Sequence, residues 1–183
     1  MSTHSTAFHI SPVPAPAWDA VAPENFHGIY GMPSFVTVPT SDMAASVAFW
    51  TGALGFFTLF EIPGQLVHLR RWAFQDVLLV PGAPPQTGTS SPVVNFACVL
   101  TQIKQITAAC KGADGVVVSG PRDTPWNSRE VEVVTPERIR VVLTAAKPYD
   151  PTTQEAANLR AAGITPPAHH VDHNEPHLSL IHI

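Results

Sequence analysis

A shift of 60 residues lays Phe35 to Gly55 over Asn95 to Gly115 without a gap, and this internal match constrains the fold of the 183-residue chain more than any other feature. Within it Ala48 falls on Ala108, Gly52 on Gly112, Ala53 on Ala113 and Gly55 on Gly115. So few identities are a weak signal alone. They gain weight because the same order of elements surrounds them on both sides of a turn-rich stretch, Pro81 to Ser91. The expectation is a tandem of two copies of one small module.

Each copy reads as a strand, a helix and three further strands. In the first, Phe35, Val36 and Val38 mark a β-rich run over 34–40 that Pro39 closes. Ser41 or Asp42 caps a helix in which Met43, Val47, Trp50 and Leu54 recur at helical spacing, with Gly52 and Gly55 as its stop. Strands over 56–61, 66–71 and 74–80 follow. In the second copy the spacing predicts strands over 93–99, 116–119, 130–134 and 138–144, a helix over 102–111 and a loop over 120–128.

The ends read differently. Residues 1–31 carry Pro12, Pro14, Pro16 and Pro23 among Ser, Thr and Ala with no apolar period, so they read as a mobile arm. The aromatic residues from Asn25 to Tyr30 could anchor that arm on the body, with order beginning near Phe26. The paired modules take 32–82 and 92–147, joined by a linker over 83–91. Residues 148–177 read as a loose tail with a short polar helix over 154–162, and Leu178 to Ile183 as a sequencing artefact outside the fold.

Charge and composition exclude several partners. Between Ser34 and Lys147 nine Lys or Arg face eight Asp or Glu, a net of +1, with no basic run to bind phosphates, so nucleic acid is not an expected partner. The chain has no apolar stretch long enough for a membrane span and no basic-then-apolar start, and is expected to be cytoplasmic without a membrane partner. Cys98 and Cys110 have neither metal-knuckle nor disulfide spacing and read as buried thiols.

A duplicated strand-helix-three-strand unit resembles the vicinal oxygen chelate superfamily of glyoxalases, bleomycin resistance proteins and dioxygenases. The likeness rests on SDMAASVAFWTGALGF at Ser41 to Phe56, VHLRR at Val67 to Arg71, QDVLLVPG at Gln75 to Gly82, and TPWN at Thr124 to Asn127. It covers Phe35 to Ala146 and is nearest in look to the bleomycin-resistance branch. The resemblance implies an α+β fold, two tandem βαβββ modules forming a cup-shaped mixed sheet with helices outside, ligands bound in the cup, and a homodimer. Metal-dependent members place His or Glu on the first and last strand of each module. Those positions fall here on Phe35, Leu78, Asn95 and Val142, a set unfit for a divalent cation, so no metal and no cofactor is expected. Thr135-Pro136-Glu137-Arg138 also stands where the family often has a glycine-bearing turn.

Strand alternation assigns the faces. Val36, Val38, Val67, Leu69, Val77 and Leu79 should meet the helix, leaving Phe35, Thr37, His68, Arg70, Phe74, Asp76 and Leu78 in the cup. The second module contributes Asn95, Ala97, Glu130, Glu132, Arg140 and Val142. His68 could contact a ligand, act as a base or make a structural hydrogen bond. Asp76 and Glu132 are either acids of the cup or salt-bridge partners of Arg70 and Arg140. Trp126 either stacks on a planar ligand or plugs the core beneath its loop. Trp50 reads as core, and Trp72 is open between rim and arm-docking site.

The leading reading is a metal-free protein that binds a small organic molecule, such as an antibiotic, by sequestration, with ligand contacts from His68, Arg70, Asp76, Asn95 and Trp126. The competing readings are a metal-dependent lyase or dioxygenase and an interaction module with a vestigial cup. The histidines 169, 170, 173 and 177 of the tail offer a further, less favoured metal site.

Overall fold

The computed structural model describes residues 13–28, 34–84 and 93–164. The histidine-rich tail and the last six residues lie outside the described residues. The first module comprises β1 (Phe35–Thr40), α1 (Met43–Gly52), β2 (Phe57–Ile62), β3 (Leu66–Arg70) and β4 (Asp76–Pro81). The second comprises β5 (Val93–Ala97), α2 (Leu100–Lys111), β6 (Val117–Asp123), β7 (Ser128–Val134) and β8 (Arg140–Ala146), and α3 (Gln154–Ala161) follows it. The expected α+β tandem is thus present. Its sheet is two separate four-stranded sheets, in the orders β1-β4-β3-β2 and β5-β8-β7-β6.

The duplication extends to backbone detail. Gly55 and Gly115 adopt φ of 75° and 71°, the left-handed conformation that glycine enters without a Cβ penalty, so both helices are followed by the same turn. The outer pairs β1/β4 and β5/β8 are parallel, and their registers correspond: Phe35 lies opposite Asp76, and Asn95 opposite Val142. Arg70 is the next neighbour of Asp76, and Glu132 of Val142. The duplication therefore relates Asp76 to Val142, Arg70 to Glu132 and His68 to Glu130.

Burial follows the alternation. Val38, Leu69, Val77 and Leu79 are at most 1% exposed beneath Phe49, Trp50 and Leu54. In the second module Val131, Val133, Val141 and Leu143 are fully buried against Ile103, Ile106 and Cys110. Burying each such side chain contributes about 1.5–3 kcal/mol before entropy is counted. The two layers form one core, because Phe96 meets Phe56 at 5.3 Å and Trp50 at 6.5 Å between ring centroids. Arg71, only 2% exposed, adds a polar joint by donating to the Ala97 carbonyl at 3.2 Å and Gln102 Oε1 at 2.6 Å. Its guanidinium sits 4.7 Å from the ring of Trp72, which is buried. Burial lowers the Arg71 pKa.

Several boundaries differ from expectation, among them β5, which ends at Ala97 and not at 99, β7, which starts at Ser128 and not at 130, and β8, which spans Arg140–Ala146 and not 138–144. The strand expected from Phe74 starts at Asp76, since a hydrogen-bonded turn from Trp72 to Gln75 holds Phe74 at φ 63°. Helix α2 begins at Leu100 after Val99, an N-cap without a side-chain hydrogen bond, so no capping signal marks its start. Strand β6 runs on to Asp123 through Gly120 and Pro121, which lie in a register shift between Ser119 and Arg122. An edge strand tolerates both residues there.

Candidate functional site

The inner face of the first sheet carries a buried polar cluster. Arg70 and Asp76 are cross-strand neighbours, and His68 lies one pleat along β3 on the same face. Asp76 Oδ1 receives Arg70 Nε at 2.8 Å and contacts His68 Nε2 at 2.5 Å. All three are at most 9% exposed. The carboxylate thereby fixes the imidazole and the guanidinium together, as alternation and the salt-bridge reading of Asp76 both require. Aromatic edges frame the cluster: His68 meets Phe60 at 5.1 Å and Phe35 at 6.5 Å, both T-shaped. Phe35 and Phe60 remain nearly half exposed, so this face is a polar floor with apolar walls.

The second sheet has a different chemistry. Glu130 Oε1 accepts from Trp126 Nε1 and Ser128 Oγ, each at 3.3 Å, and Thr144 Oγ1 at 3.5 Å. Glu132 Oε1 accepts from Arg140 Nε at 2.9 Å and Nη2 at 2.8 Å, the expected salt bridge. Trp126 is 58% exposed, so it lies on the surface with its indole N–H tied down and does not plug the core. Asn95 is also exposed and lines a shallow cavity of about 350 Å³ with Ala97, Thr144 and Ala146. The structure thus joins His68, Arg70 and Asp76 in one cluster and places Asn95 on β5 and Trp126 in the turn between β6 and β7, both in the other module.

The segment before β1 also reaches the site. The Gly28 carbonyl accepts from Arg70 Nη1 at 2.6 Å, and the Phe26 ring lies 5.7 Å from the same guanidinium. No periodicity marks these residues, and the only sequence signal was their aromatic content. Glu130, as a hydrogen-bond hub, carried no signal beyond its place in the alternation.

A metal does not fit the residues present. The register sets Asp76, and not Leu78, opposite Phe35, as it sets Val142 opposite Asn95, so the residues that the duplication pairs are Phe35, Asp76, Asn95 and Val142. One carboxylate is gained, but His68 and Arg70 already engage it. Phe and Val offer no donor and Asn is a poor ligand without anionic neighbours. Among the described residues no three His, Cys, Asp or Glu lie close enough to hold a metal ion. A separate apolar groove of about 610 Å³ lies outside α1 against Ile62 to Val67, away from these polar groups.

Comparison with known proteins bears on this architecture. The family model described as Glyoxalase/Bleomycin resistance protein/Dioxygenase superfamily matches residues 33–143. The fosfomycin resistance protein FosX of Listeria monocytogenes, solved with Mn(II) and sulfate, superposes with a TM-score of 0.55 at 16% identity, over 73% of this chain and 99% of that one. FosX of Mesorhizobium loti gives 0.52 at 11% identity, over 65% and 95%. A bleomycin resistance determinant encoded on transposon Tn5 gives 0.48 at 15%, over 64% and 99%. At these identities the FosX likenesses establish a shared fold. No curated protein sequence matches the chain, and no described helix is long and apolar enough to cross a membrane.

Proposed function

We propose, from the premise that this chain belongs to the glyoxalase/bleomycin resistance protein/dioxygenase superfamily, that it binds a small organic molecule in its cup and acts by sequestration without a catalytic metal. The observation carrying this reading is the first sheet's inner face, where exposed Phe35 and Phe60 border the buried His68–Asp76–Arg70 cluster. Apolar walls with a few convergent polar groups are what a small-molecule site needs. The donor set at the family's metal positions supports a metal-free mode. Fosfomycin, named for the resistance of the FosX neighbours, and bleomycin, named in the family's description, enter as candidate ligands, and a homodimer is the expected assembly.

Titration with fosfomycin and a panel of aromatic and glycopeptide antibiotics, followed by tryptophan fluorescence and calorimetry, tests this reading. At least one compound should bind, and Asp76→Asn, which loosens both His68 and Arg70, should weaken it about 10-fold. Stoichiometric zinc, nickel, manganese or iron retained by the purified core would overturn the metal-free mode. Silence from every compound would favour a vestigial cup.

A further inference from the structure

Residues 13–28 cross both sheets. Val13 borders the Asn95 cavity on β5 and β8, and the Ala20 carbonyl accepts from Thr101 Oγ1 at 2.8 Å near the start of α2. Farther along, the Phe26 N–H donates to the Arg71 carbonyl at 3.0 Å, and the His27 ring lies 4.3 Å from Phe57. The segment ends with the Gly28 carbonyl on Arg70 Nη1 and the Phe26 ring against the same guanidinium. These contacts cover the Arg70 end of the polar floor, so a ligand reaching that guanidinium meets the arm first.

What the arm offers Arg70 is specific: an aromatic ring and, two residues on, an acceptor oxygen. Gly28 makes the combination possible, since a Cβ there would stand 2.5 Å from Phe26 Cζ and push the ring away. We propose that the arm is a built-in competitor for the subsite at Arg70, and that the ligand displacing it is a small aromatic molecule carrying a carboxylate or acyl oxygen. This rests on the binding reading above, and adds to it a ligand class and a means of regulation. The ligand's ring replaces that of Phe26 and its oxygen replaces the Gly28 carbonyl on Nη1. Arm and ligand exclude one another, so the apparent affinity is the intrinsic one scaled by the fraction of molecules with the arm released.

N-benzoylglycine (hippurate), which has a ring, an acyl oxygen and a carboxylate, serves as the probe on the full chain. Calorimetry gives its affinity for the natural sequence, Gly28→Val and Arg70→Lys, while hydrogen exchange reads the Phe26 amide. Gly28→Val leaves every side chain of the polar floor in place and should tighten binding about 5–10-fold, by raising the released fraction. Arg70→Lys should weaken it about 10-fold through loss of the guanidinium geometry. Saturating hippurate should speed exchange at Phe26 about 10-fold or more. If hippurate binds but Phe26 stays protected and Gly28→Val changes nothing, the competitor falls while small-molecule binding stands. If antibiotics bind but hippurate fails even with Gly28→Val, the ligand class falls and the binding reading survives. If no compound binds, both fall together.

Discussion

Cys98 and Cys110 show how far a single residue's behaviour follows from burial. Both are free thiols with little or no exposure, and burial pushes their pKa values up from an ordinary 9.0 to about 12 and about 11, with Arg71 pulling Cys98 back slightly. The folded chain therefore holds two protons that the unfolded chain releases above about pH 9. Stability is fully kept below that pH and falls as pH rises toward 11–12, by up to about 1.4 kcal/mol per pH unit for each thiol. Urea midpoints at pH 8, 9 and 10 check this, and Cys110→Ala should flatten the decline. A profile with no decline would contradict it. That the thiols are buried was legible from their apolar surroundings in the chain. The left-handed backbone at Phe74, Asn127 and Arg138 was not, because none of these is glycine. At Arg138 the turn keeps a glycine-like conformation without the glycine, held by hydrogen bonds between Thr135, Arg138 and Ile139.

Between elements, the turn joining β7 to β8 meets α1 through one carboxylate. Glu137 is 2% exposed, its Oε2 accepts from Trp50 Nε1 at 3.3 Å, and its Oε1 has no hydrogen-bond partner among the described residues. Glu137→Gln keeps an acceptor for the indole and removes a poorly compensated buried acid, so it should stabilise the protein by about 1 kcal/mol in urea denaturation. Glu137→Ala strands the indole N–H and should cost about 1–3 kcal/mol. Equal destabilisation by both would show that the carboxylate itself is needed. Element order and type were readable because strand alternation and helical spacing are local signals. The extent of β6 was not, since Gly120 and Pro121 signal a break that pairing with β7 overrides at the sheet edge.

At the scale of the molecule, the two modules share one core through Trp50, Phe56 and Phe96. Phe96→Ala should therefore destabilise both together, by about 3–5 kcal/mol, with far-UV circular dichroism and tryptophan fluorescence reporting one coincident transition. Two separate transitions would mean that the modules fold independently. The sequence by itself determined the duplication, through identities that recur at an offset of 60 residues, and the faces of the strands with the inward aim of His68, Arg70 and Asp76, because alternation is a period within a few residues. Only the tertiary structure decided that Asp76 stands opposite Phe35, that Trp126 joins Glu130 in the second module and not the His68 cluster, and that Gly28 reaches Arg70. Register and docking are set by contacts between residues distant in the chain, and no local pattern encodes them.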